Sequence, residues 1–136
     1  MPSVWLPENG TEFLHYFISH VKSNWLAYCD AHLADVNLRR QVINSNGSDP
    51  QLLNTLLEDG LKWLNYRQQL GRFTSKIRDF IKSYSRKYNE TGDLDEVLDQ
   101  FYNDIGKKLD LLDENSRDII QLVSVSYYIV RSIPLG

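Results

Sequence analysis

With 136 residues, 42% of them apolar and 24% charged, the chain has the make-up of one globular domain with a real core. Apolar residues spread along the whole length exclude a disordered chain, while a net charge of −3 excludes no class of partner. The single cysteine, Cys29, excludes an internal disulfide and fits a reducing compartment. The first residues lack a basic segment followed by an apolar run, so they do not read as a secretory signal. The most apolar window, residues 119–133, is too short to span a bilayer and carries Arg131. A cytoplasmic protein with no membrane contact is the expectation.

Residues 1–10 read as an irregular lead-in, and 11–136 as a single helical domain. Thr11 is placed to cap a first helix, whose stripe is Leu14, Ile18, Val21, Trp25, Tyr28 and His32, widened by Phe17 and Cys29. The pattern loosens at Asp35, Val36 and Asn37, where a bend is expected. Leu38, Val42 and Ile43 then resume it to about residue 44.

The chain is organised around the next stretch. Leu52, Leu56, Asp59, Trp63, Tyr66, Leu70, Phe73, Ile77, Phe80 and Tyr84 follow one another at alternating four- and three-residue steps. This heptad-like seam predicts one long helix over about 50–89, capped by Asp49 and opened by Pro50, with Gly71 as the place where it would bend. A second row, Leu53, Leu57, Gly60 and Leu64, suggests that the first half faces a broad core. Past Gly71 that row thins to Thr74, Arg78, Ile81 and Ser85, which suits a narrow coiled-coil contact. Gly60 and Gly71 each cost roughly 1 kcal/mol against alanine inside a helix, which close helix crossing would offset.

Asn89, Glu90, Thr91 and Gly92 form the clearest turn. Asp93 with Glu96 makes a capping-box start to a third stripe of Leu94, Leu98, Phe101, Ile105, Leu109 and Leu112. The polar run 113–116 predicts a break before a last helix over about 117–133, stopped by Pro134. Residues 122–130 also alternate like a strand, but a lone strand would lack a partner. The expected fold is therefore all-α: an elongated four-helix bundle with one long central helix.

Charge is uneven. Residues 67–87 hold seven cations against one acid, Asp79, whereas 90–118 hold ten acids against three cations. The simplest reading sets the basic half of the central helix beside the acidic third helix of the same chain or of a second copy. A phosphate-tracking surface is the alternative. The expected interaction surface is Arg72, Phe73, Lys76, Ile77, Arg78, Phe80, Lys82, Tyr84 and Arg86.

Catalytic patterns are sparse. Gly-rich phosphate loops, Gly-x-Ser-x-Gly and Cys-x-x-Cys are missing from the sequence. Cys29 with His32, and Glu12 with His15, are too few ligands for a metal centre, and a di-iron bundle needs the Glu-x-x-His step twice. The order and lengths of the elements resemble the helical, globin-like input domains of bacterial stress-signalling proteins. All three histidines lie in the first helix, which does not suggest ordinary haem ligation. The expected function is a non-enzymatic helical module that binds another protein, as antitoxins, inhibitors, adaptors and signalling-input domains do. It would work as a homodimer through the central helix, without catalytic residues, cofactor or metal. The alternatives are a nucleic-acid-binding regulator using the 67–87 face and, more distantly, a metal or ligand sensor using Cys29 and His32.

Overall fold

The computed structural model describes residues 10–46, 50–88 and 93–132, with side chains over 10–43, 51, 54–86 and 93–125. Three helices account for all of these except Asp93: α1 (Gly10–Asn46), α2 (Pro50–Tyr88) and α3 (Leu94–Ser132). The lead-in before Gly10, the Asp49 cap, the 89–92 turn and the Pro134 stop lie outside the described residues. At 37, 39 and 39 residues the helices are each about 55–60 Å long at roughly 1.5 Å per residue. No described helix is long and apolar enough to cross a membrane, and no described residue is in a strand.

Among the described residues the bundle therefore has three helices, not four. The break expected at 113–116 does not occur, because the core stripe of α3 keeps its phase straight through it. Leu94, Leu98, Phe101, Ile105, Leu109, Leu112, Ser116, Ile119 and Val123 are all buried, at three- and four-residue steps. Ser116 holds a core position, where its hydroxyl accepts a hydrogen bond from Trp63 Nε1 at 3.0 Å. Asp113 is tied one turn forward to Arg117 at 3.0 Å. Polar side chains that favour a turn in water thus have their partners within the helix or across the core. The same holds at Asp35–Asn37, where α1 is unbroken. Cys29, Val36 and Ile43 recur every seven residues in the core, and Arg39 reaches Asp35 at 3.0 Å.

α3 is the central element, with its backbone close to both α1 and α2. No described part of α1 and α2 makes a comparable backbone approach, and these two helices meet through long side chains. The path is up, down, up. His15–Asp93 and Asp30–Lys108 share an offset of 78 residues, so α1 and α3 run parallel in a single register. Lys22–Asp104 at 2.7 Å joins the same two helices, and its hydrogen bond holds the Asp104 carboxyl below its usual range. Arg78 bonds Asp99 at 2.6 Å and Arg67 bonds the Gly106 carbonyl at 3.0 Å, across antiparallel α2 and α3. Such exposed pairs are worth only about 0–1 kcal/mol each, so they set register more than stability.

The helix start also differs from expectation. α1 begins at Gly10, not at Thr11, and the Gly10 N–H donates to the Tyr84 hydroxyl at 3.1 Å. A methyl group on Gly10 would lie 2.5 Å from the Tyr84 ring, so any larger residue there would have to displace that ring. Asp93 stands at the start of α3 as expected, its carbonyl accepting the Val97 N–H at 3.0 Å.

Gly60 and Gly71 sit inside an unbroken α2, and a β-carbon at either position would meet nothing within 4 Å. Among the described residues no close crossing explains them. Gly71→Ala is accordingly expected to raise stability by about 1 kcal/mol, through lost unfolded-state freedom and better helix propensity. Urea denaturation with an unchanged slope checks it, and a destabilised variant would mean that the position has a hidden contact.

Candidate functional site

The three inter-helix faces differ in chemistry. Between α1 and α2 the backbones stand apart, and aromatic rings fill the gap. Phe17 meets Phe73 at 6.2 Å between ring centroids. Further along, Trp25 and Tyr66 lie 6.3 Å apart at 89°, and Tyr28 and Tyr66 lie 5.5 Å apart at 76°. His32 is wedged between Tyr28, at 4.4 Å, and Trp63, at 5.0 Å. The Tyr28 and Tyr66 hydroxyls share a 2.6 Å hydrogen bond. That bond, followed by burial, pushes the Tyr66 phenol up to about 12. A cavity of about 270 Å³ opens here, lined by Asn24, Trp25, Tyr28, Tyr66 and Gln69.

In an alkaline spectrophotometric titration, Tyr66 is expected to ionise only near pH 12. Tyr28→Phe removes the largest cause and should bring that tyrosine back towards the ordinary value near 10. An unaltered titration in the variant would mean that the hydroxyl pair does not persist in solution.

The nine residues expected to form an interaction surface divide into two sets. Phe73 and Ile77 pack against the core, with Phe73 5.5 Å from Phe101. Tyr84 is half-buried against Gly10, and Arg78 is paired with Asp95 and Asp99 of α3. The basic half of α2 thus lies beside the acidic start of α3 of its own chain, at least at Arg78. The second set faces outward. Among the described residues Arg72, Lys76, Lys82 and Arg86 are exposed cations with no acidic partner, and Phe80 is 55% exposed beside them.

A second outward face was not legible as such. Leu57, Leu61 and Leu64 recur at i, i+4 and i+7 on α2 and are 51%, 68% and 55% exposed. Leu57 and Leu64 belong to the row expected to face a broad core; instead they lie on the solvent side. Gly60 lies beside them, and with Leu64 it lines a cleft of about 300 Å³ towards α3, bounded also by Leu109, Asp113 and Arg117. The sequence signal was present: two helical apolar rows on one helix, one more than its two neighbours need.

Cys29 is buried, and burial together with Asp30 raises its thiol pKa, so it is a poor nucleophile or metal ligand as it stands. His32 fills a slot between two aromatic rings, and His15 bonds Asp93 at 2.6 Å. Among the described residues no three His, Cys, Asp or Glu side chains gather at metal-binding distance. Comparison of the chain with protein-family models, with curated proteins and with solved structures finds no match.

Proposed function

We propose that the chain is a non-catalytic helical interaction module that works through the outer face of α2, pairing there with a second copy of itself. One observation carries the reading. Leu57, Leu61 and Leu64 form a helical apolar row that is more than half exposed, with Gly60 as a notch beside it. A glycine inside a helix costs about 1 kcal/mol, and among the described residues a β-carbon at Gly60 would meet nothing within 4 Å. A neighbouring helix crossing there would both fill the notch and cover the leucines, a contact that soluble chains favour over an exposed apolar stripe. In a two-fold pair the same patch serves both partners.

The interface is thus displaced from the seam around Phe73 and Ile77, which pack against the core, while Phe80 stays outside it among the exposed cations. A single helix-to-helix contact lies at the small end of stable interfaces, so the pair is expected to be reversible at micromolar concentration. The same row would serve a helix of another protein, as an adaptor or inhibitor does. A single cysteine kept as a buried thiol is in keeping with work in a reducing compartment such as the cytoplasm.

Leu57→Glu with Leu61→Glu is expected to abolish self-association while leaving helicity and melting temperature within a few degrees of wild type, since both side chains are already exposed. Equilibrium sedimentation of the two proteins checks this. Unchanged association in the double variant would move the interface elsewhere.

A second reading has its own observation. Arg72, Lys76, Lys82 and Arg86, with Phe80 among them, make an unpaired basic strip of the kind that tracks phosphates. Binding to single-stranded nucleic acid that weakens steeply with salt would favour it over the leucine face.

A further inference from the structure

We propose that the corner between Trp25 and Tyr66, closed on its third side by Tyr28, is a binding site for a methylated ammonium group. The argument starts from ring geometry. A planar ligand is best held between two parallel rings, and neither pair made with Tyr66 is parallel: the planes of Trp25 and Tyr66 meet at 89°, those of Tyr28 and Tyr66 at 76°. Perpendicular walls instead suit a rounded group that meets each ring face at once. A cation about 4.5 Å in front of two perpendicular rings places their centroids roughly 6.4 Å apart. Trp25 and Tyr66 are 6.3 Å apart.

The lining sets the charge and the degree of methylation. No charged residue is among the five lining residues, whose polar groups are the amides of Asn24 and Gln69, two phenol hydroxyls and the indole N–H. An anion would find neutral donors there but no opposite charge. A bare ammonium, which is strongly hydrated, would lose its water with no carboxylate to replace it. A quaternary ammonium is weakly hydrated and gains most from the negative faces of Trp and Tyr.

The walls are also held in place before any ligand arrives. The Tyr28–Tyr66 hydroxyl bond joins α1 to α2 at 2.6 Å, and His32 with Trp63 backs Tyr28 and Tyr66 from the other side. Little ordering remains for binding to offset. The cavity of about 270 Å³ admits a small headgroup or the end of one side chain, not an extended chain. A free choline-like compound and a trimethylated lysine present the same group.

Proton NMR titration with choline decides the matter. Its N-methyl signal is expected to move upfield and saturate, because it would sit over the ring faces. The uncharged carbon isostere 3,3-dimethylbutanol should bind about tenfold more weakly. Gln69→Lys, an exposed change that leaves the helices intact by circular dichroism, should weaken choline by about tenfold, and Gln69→Glu should tighten it several-fold. A parallel titration with a trimethyl-lysine peptide and its unmodified form separates the two sources: tighter binding of the methylated peptide than of choline assigns a protein tail, and the reverse a small molecule. Equal binding of choline and its isostere, no saturable shift with either methylated probe, or indifference to both Gln69 changes overturns the site.

Discussion

Arg39→Ala is expected to cost about 3 kcal/mol of stability, more than any other single loss of charge in the molecule. Asp59 is the one polar member of the α2 seam and is buried, with side-chain exposure of 8%. Arg39 reaches it from α1 and also holds Asp35 at 3.0 Å, while Lys62 lies 3.5 Å from the other Asp59 oxygen. Removing the guanidinium leaves a carboxylate in an apolar seam with only an exposed lysine near it. That uncompensated charge, and not the worth of the pair, sets the size of the loss. The matching expectation is that Arg39→Met with Asp59→Leu together recovers most of the stability, because the pair's desolvation cost disappears with it. What the double variant loses is the register mark between α1 and α2, whose backbones do not otherwise approach each other closely. Chemical denaturation of the two single variants and the double variant, read as a thermodynamic cycle, checks it. Additive losses would show that the two groups do not interact.

The second large effect lies at Phe101. This ring is fully buried on α3 and faces Phe73 of α2, which in turn meets Phe17 of α1. It therefore stands where all three helices contribute to one aromatic stack. Phe101→Ala removes most of the buried ring and leaves a cavity between rigid helices, with an expected loss of about 4 kcal/mol. For a chain of this length that lowers the melting temperature by roughly 10–15 °C. Phe101→Leu should recover about half of the loss. A melting temperature unchanged by Phe101→Ala would place the ring outside the core.

Much of this was legible in the chain. Helical spacing alone marks the all-helical stripes, although it divides α3 into two, and Asp59 stands out as the polar exception within one of them. The α2 seam was followed too rigidly, however. A strict heptad drifts about 20° per repeat on a straight helix. From Asp59 through Tyr66 and Phe73 to Phe80 this carries the seam by roughly 60°, from the core to the surface. Ile81 and Thr74, taken as a thinning flank, hold the core positions instead. The same drift hides the leucine face, because Leu57 and Leu64 look like core residues until the α1 and α3 positions are known. The polar run at 113–116 misleads for another reason: local preference for a turn is overridden by the burial of Ser116 against Trp63. The aromatic corner of Trp25, Tyr28 and Tyr66 joins two helices across 38 residues of chain, and no spacing rule reaches that far.

The most direct test of the proposed interface is sedimentation equilibrium of the wild type across a wide concentration range, beside the Leu57→Glu, Leu61→Glu double variant and a Gly60→Val variant. A wild type that reaches twice the chain mass, with both variants remaining monomeric and fully helical, is the expected result. A wild type that remains at the mass of one chain at the highest concentrations would contradict pairing through α2.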